Sequence, residues 1–170
     1  METALRYVEE VRMKRPQEGD KAPDFNVPAS NGKNISLKDF KGKKKIVLYF
    51  YPKDDTPGCT VEACGFRDRI KEIEKEDTVV LGISPDDSTS HEKFIKKFNL
   101  PFVLVSDTQK EMCKAYGVWV EKNMYGRKYM GVERTTFVID KEGKIAKVFA
   151  KVKPQGHHEE VLEFVENFFK

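Results

Sequence analysis

Two unbroken apolar runs dominate the chain, Ile46-Val-Leu-Tyr-Phe-Tyr51 and Thr78-Val-Val-Leu-Gly-Ile-Ser84. Runs without alternation predict strands covered on both faces, as in a parallel sheet. Between them Val61, Cys64, Ile70 and Ile73 recur among charged residues, which predicts a helix from Thr60 to about Glu74. Ser88 to Phe98 reads as a second helix, Val103 to Ser106 as a shorter strand and Gln109 to Tyr116 as a brief helix. Thr135 to Ile139 and Ile145 to Ala150 flank Lys141-Glu-Gly-Lys144 and predict an antiparallel hairpin. The last helix is expected from His157 to Phe169, with Val161, Leu162, Val165, Phe168 and Phe169 on its apolar side. Near the start, Asp24 to Ala29 and Asn34 to Leu37 are short strands around Ser30-Asn-Gly-Lys33, an Asn-Gly hairpin signal.

Strands that alternate with helices and then close in a hairpin and a helix define an α/β domain with a mixed central β-sheet flanked by helices. Ahead of it, Ala4, Leu5, Val8, Val11 and Arg12 share helical spacing and Pro16 ends the pattern, so residues 1–16 are expected to form an extra N-terminal helix. The expectation is one domain over residues 1–170.

Composition narrows the setting. Apolar residues make up 39% and charged residues 35% of the chain, too apolar for disorder and too interrupted by charge for a membrane span. The amino end has no continuous apolar segment of the secretory kind, and a cytoplasmic location is expected. The net charge of +3 comes from 31 basic and 28 acidic residues mixed along the chain. Only Lys41-Gly-Lys-Lys-Lys45 forms a basic run, read as a solvated loop, so nucleic acid is not an expected partner. Three cysteines are too few for a disulfide scaffold and point to reactive or buried thiols.

Cys59 stands where the first buried strand gives way to a helix. Thr56-Pro57 reads as an N-cap followed by proline at the first helical position, which puts Cys59 in the first turn. Unpaired backbone N–H groups and the positive end of the helix dipole favour an anion there. A free thiol titrates near about 8.5, and such a site is expected to lower that value. The Thr56 oxygen is expected to cap the helix while its hydroxyl proton faces the sulfur, and Gly58 is expected to leave room for a small substrate.

Pro52-x-x-x-Thr56-x-x-Cys59 resembles the active-site motif of peroxiredoxins. Thr-Pro-Gly-Cys-Thr with Cys64 five positions on is similar to their bacterioferritin-comigratory, or Q-type, subfamily. Gly19-Asp-Lys-Ala-Pro-Asp-Phe25, Phe66-Arg67-Asp68, Tyr116-Gly-Val-Trp119 and Arg134-Thr-Thr-Phe-Val-Ile-Asp140 agree with it, over roughly residues 17–170. The resemblance implies a thioredoxin-like fold and a thiol peroxidase that needs neither cofactor nor metal. It implies Cys59 as the thiol that attacks hydrogen peroxide or an organic hydroperoxide, Arg134 beside the sulfur, Pro52 as a cover over it, and Glu62 as a carboxylate that orients the arginine. It implies as well that the Cys59 sulfenic acid condenses with Cys64 and that thioredoxin, or a similar dithiol protein, reduces the bridge. The subfamily is often monomeric, and the extra helix offers a surface for a dimer.

The spacing of the two cysteines has a geometric consequence. On an ideal helix, residues i and i+5 have Cα atoms about 8.7 Å apart, whereas a disulfide tolerates at most about 7 Å. Cys59 and Cys64 can therefore join only if the first turn unwinds, and residues 58–66 are expected to open on oxidation. Gly65 is expected to make that opening easier. Cys113 shares helical spacing with Gln109, Met112 and Tyr116 and reads as a core residue, with a resolving role as the alternative. His157 and His158 diverge on a helix, His91 is remote from both, and all three read as structural. A thioredoxin-type oxidoreductase would want C-x-x-C and a proline where Arg134-Thr135-Thr136 stands. A non-enzymatic redox sensor is the third reading.

Overall fold

The computed structural model describes residues 15–169. The helix expected at the amino end falls, up to residue 14, outside the described residues. The chain opens with a small antiparallel hairpin of β1 (Asn26–Pro28) and β2 (Asn34–Ser36), with Val27 opposite Ile35. Next come β3 (Lys45–Phe50), helix α1 (Pro57–Asp68), the short α2 (Ile70–Glu74), β4 (Thr78–Ser84), α3 (Ser88–Phe98) and β5 (Val103–Ser106). The short α4 (Glu111–Ala115) leads to β6 (Trp119–Met124) and β7 (Arg127–Val132), and then to β8 (Thr135–Ile139), β9 (Ile145–Phe149) and α5 (His157–Phe168).

The central sheet has the strand order β5-β4-β3-β8-β9. Strands β3, β4 and β5 run parallel, with Leu48 beside Leu81 and Ile83 beside Val105, while β8 is antiparallel to β3 and to β9. The apolar run in β3 follows from its central place. Ile46, Leu48 and Phe50 enter the core on one face and Val47, Tyr49 and Tyr51 the core on the other, and all six are buried. Phe50 packs on Tyr116 and Phe137 on the first face, and Tyr49 on Phe66 of α1 on the second. Among the described residues no helix is long and apolar enough to cross a membrane.

Several element ends shift by one to three residues from the sequence pattern, and two differences are larger. The helix after β3 breaks at Arg69, whose ψ of 11° leaves the helical region, so α1 and α2 replace one continuous element. The hairpin of β6 and β7 was not foreseen. Its turn is Tyr125-Gly126, both at positive φ, and its strands are largely exposed, so they lack the apolar alternation that marks a half-buried strand.

Candidate active site

Strand β3 delivers the chain to the site and the loop 51–56 turns it into α1. Thr56 has extended backbone angles, φ −93° and ψ 154°, and its carbonyl accepts the first helical hydrogen bond from Thr60 N at 2.8 Å. It is therefore the N-cap residue, with Pro57 in the first turn. Its hydroxyl behaves differently from the expectation: it donates to the Lys53 carbonyl at 2.8 Å and makes no side-chain cap. That bond closes the loop on itself.

Cys59 is buried, with 1% of its surface exposed. Arg134, between β7 and β8, donates from Nη2 to the Cys59 sulfur at 3.3 Å and from Nη1 to Glu62 Oε1 at 2.7 Å. Glu62 lies three residues after Cys59 on α1, one turn further along the same helix face. Its side chain is fully buried, and its second oxygen, Oε2, has no partner among the described residues. Burial pushes the Glu62 carboxyl up to about 7, and Arg134 holds it from rising further. Burial likewise opposes the charge of Arg134, but Glu62 and Cys59 together keep its pKa above the ordinary value. One guanidinium thus spans a carboxylate and the sulfur, a fixed fork that lysine could not reproduce.

Gly58 has a sharper role than room for substrate. A Cβ there would stand 3.2 Å from Arg134 Nη2 and 3.2 Å from Pro154 Cγ, so the vacant side belongs to the arginine. Pro52 is half-buried in the loop before Thr56. Cys64 is half-buried on α1, and α1 is continuous between the two free thiols. Gly65 is buried against α5, where a Cβ would meet His158 Nδ1 at 2.2 Å, so its absent side chain serves close packing. Cys113 lies in the core, its backbone N–H donates to Asp107 Oδ2 at 2.8 Å, and burial, with Asp107 nearby, drives its thiol pKa far up. His157 is buried and bonded to Thr136 Oγ1 at 2.7 Å and Glu160 Oε1 at 2.6 Å.

Sequence reasoning missed what holds the loop from beneath. Asp54 accepts from Tyr51 Oη at 2.6 Å and Ser90 Oγ at 2.8 Å, and its Oδ2 lies 2.7 Å from His91 Nδ1. His91 Nε2 faces the Val105 carbonyl at 3.0 Å. Both ring nitrogens face acceptors, so a proton is held between His91 and Asp54. Asp54 N donates to Asp86 Oδ2 at 2.8 Å, which also takes the Ser84 hydroxyl at 2.6 Å. The ligand atoms of Asp54, Asp86 and His91 lie within 4.8 Å of one another, yet each already bonds to protein groups. Only the Tyr51-x-x-Asp54 spacing hinted at this network; its helix and strand partners are distant in sequence.

A helix-start thiol under a doubly anchored arginine, carried at the C-terminal end of the central strand of a mixed sheet, defines a class: thioredoxin-like proteins that reduce hydroperoxides through a cysteine. Comparison with known proteins agrees, and the chain belongs to the AhpC/TSA family, which matches residues 18–148. It is similar to a putative peroxiredoxin bcp of Coxiella burnetii, 56% identical over 144 residues that cover 85% of this chain and 95% of the relative. The peroxiredoxin Bcp of Bacillus subtilis is 49% identical over 145 residues, 85% of this chain and 92% of its own. Among solved structures, one concerns the alkyl peroxide reduction activity of the bacterioferritin comigratory protein of Xanthomonas campestris. It superposes with a TM-score of 0.82 at 38% identity, covering 86% of this chain and 92% of that one. The chain is accordingly a peroxiredoxin, a thiol-dependent enzyme that acts on hydroperoxides with a thiol reductant.

Proposed function

We propose that Cys59 is the thiol that attacks peroxide, that Cys64 resolves it, and that Arg134, Thr56 and Pro52 complete the site. The observation that carries this reading is the 3.3 Å contact between Arg134 Nη2 and the Cys59 sulfur at the start of α1. The Cys59 thiolate attacks one peroxide oxygen, an S–O bond forms and the O–O bond breaks. The leaving alkoxide or hydroxide takes a proton and departs as alcohol or water. Charge builds on both oxygens in that step, and the Arg134 guanidinium and the free N–H groups of the first turn are the donors that meet it. Thr56 acts by fixing the loop through Lys53, and Pro52 limits access of water to the sulfur.

The Cys59 sulfenic acid is next attacked by the Cys64 thiolate. An S–S bond forms, the S–O bond breaks and water leaves. Because α1 is continuous between the two thiols, this step requires residues 58–66 to unwind, which exposes the bridge to an outside dithiol. A thioredoxin-like protein is the reductant of matching chemistry: its two thiols return the bridge to two thiols and become a disulfide themselves. Both cysteines lie on one helix, so a monomer suffices. Organic hydroperoxides are the second substrate class beside hydrogen peroxide, in keeping with the alkyl peroxide reduction activity of the Xanthomonas campestris relative. A cytoplasmic setting suits a cycle that begins and ends with free thiols.

The test is a thiol count after one equivalent of hydrogen peroxide on the reduced protein, on Cys59→Ser, Cys64→Ser and Cys113→Ser, with mass spectrometry of linked peptides. Wild type and Cys113→Ser are expected to lose both thiols to a Cys59–Cys64 bridge, and Cys59→Ser none quickly. A Cys59→Ser variant that reacts as fast as wild type would sink the assignment. A bridge to Cys113 in Cys64→Ser would move the resolving role.

A further inference from the structure

Arg134 carries its guanidinium to the sulfur from a residue whose chain neighbour is an acid, Glu133. The partner of Glu133 comes from outside the family-matched segment. Arg15 precedes residues 18–148, yet its guanidinium donates to Glu133 Oε2 and, from Nε and Nη2, to the Gly117 carbonyl at 3.1 and 2.8 Å. The two charged side chains are only 13% and 17% exposed. The backbone of residue 15 lies against Gly117, where a Cβ would come within 2.7 Å of Arg15 Cα. Glu133 itself is fixed along its backbone. Its N–H donates to the Val118 carbonyl at 2.8 Å, and its carbonyl accepts from Thr135 Oγ1 at 2.9 Å.

Arg134 has two terminal nitrogens and both are in use, one on Glu62 and one on the Cys59 sulfur. An ionised carboxylate largely withdrawn from water must find a cation. Without Arg15, the cations at hand for Glu133 among the described residues are its chain neighbour Arg134 and the half-buried Lys122, whose charge already feels Glu133, Arg134 and Cys59. We infer that Arg15 is a positioning residue for peroxide reduction: by taking up the Glu133 carboxylate it leaves Arg134 undivided between Glu62 and Cys59. This rests on the roles given above to Cys59 and Arg134. It makes the segment before the family domain part of what tunes the site.

The experiment measures the rate constant for oxidation of the reduced, full-length protein by hydrogen peroxide in stopped flow, for wild type, Arg15→Ala, Glu133→Gln, the double variant and Cys59→Ser. Misplacing a catalytic group by 1 Å can cost about 10²-fold, so Arg15→Ala is expected to slow oxidation by about tenfold or more. Glu133→Gln alone and Arg15→Ala/Glu133→Gln are each expected within about twofold of wild type, since removing the orphaned acid removes its competition for Arg134. An Arg15→Ala enzyme that reacts at the wild-type rate overturns the inference. So does a double variant as slow as Arg15→Ala, because a mere strut cannot be replaced by deleting its partner. Should Arg15→Ala fail to fold, Arg15→Gln takes its place in the same comparison: a slow single variant restored by Glu133→Gln supports the inference, and a single variant at the wild-type rate, or one that Glu133→Gln does not restore, overturns it. Cys59→Ser separates the two levels. If it still reacts at the wild-type rate, the reading of the site fails; if it is silent while Arg15→Ala is unaffected, only the role of Arg15 falls.

Discussion

Glu62 offers the sharpest quantitative test of the site, because its burial sets stability against function. Its carboxyl is fully buried, and its pKa rises from 4.5 to about 7 on folding, burial being the main cause and Arg134 the counterweight. An acid that holds its proton more tightly when folded contributes full stability below its unfolded value and loses it as pH climbs through the folded one. For Glu62 the loss begins near 4.5 and is complete above about 7. At about 1.36 kcal/mol per pH unit it amounts to about 3 kcal/mol. Glu62→Gln keeps an oxygen for Arg134 Nη1 and cannot ionise, so it resembles the protonated carboxyl at every pH. The expected result is a stability difference between variant and wild type that grows in the variant's favour from pH 4.5 to about 7 and then stays level near about 3 kcal/mol. Urea unfolding of the reduced protein at four pH values would measure it, and titrating groups remote from Glu62 cancel in the difference. If the two stability curves run parallel across that range, or Glu62→Gln loses ground as pH rises, the electrostatic account of the site is wrong. The same variant is expected to react more slowly with peroxide, since a neutral amide holds the guanidinium less firmly than a carboxylate.

Other consequences are simpler to check. Gly65→Ala forces a Cβ into the His158 ring and is expected to lower stability by about 1–3 kcal/mol, whereas in a His158→Ala background it is expected to raise it by up to about 1 kcal/mol through helix propensity; thermal unfolding of the four proteins shows whether the sign reverses. Hydrogen exchange of residues 58–66 is expected to be slow in the reduced protein and fast in the disulfide form, and equal protection in both would argue against unwinding. Native Cys113 is expected to resist iodoacetamide at pH 8.5, since burial drives its thiol pKa far up, and to react only after denaturation. Labelling of Cys113 in the folded protein would contradict its place in the core.

The strands of the central sheet were legible because a buried strand is written as a run of adjacent apolar residues. Ile46 to Tyr51 and Thr78 to Ser84 needed no partner to be recognised, and the ends of β4, α3, β5 and β8 coincide with the pattern. The β6–β7 hairpin was invisible for the opposite reason: strands exposed on most positions carry no period, and its turn uses Tyr-Gly where a common signal is Asn-Gly. At the site, Cys59 stands in the motif while Arg134 and Glu62 are implied by the family resemblance, and the structure brings all three into one hydrogen-bonded group. What could not be read was tertiary. Thr56 turns its hydroxyl to Lys53, Gly65 exists for His158, and Arg15 reaches Glu133 across more than a hundred residues, |i−j| being 118. Each depends on which surfaces meet, and local spacing is silent about that.

The hydrogen bonds around Asp54 give α1 a mechanical asymmetry. Upstream of Cys59, side chains from Tyr51, Ser90 and His91 grip the loop, while downstream the helix stops at Arg69 after 12 residues. The helix is thus moored at its entrance by bonds from three side chains and ends at Arg69, one residue before α2 begins. A helix that starts afresh must first pass a costly nucleation, but one that regrows from a preset first turn only elongates, at about a nanosecond per residue. With Thr56 and Pro57 kept in place by that mooring, each return to the dithiol form would begin from a template already set, so rewinding adds almost nothing to the time of a catalytic cycle.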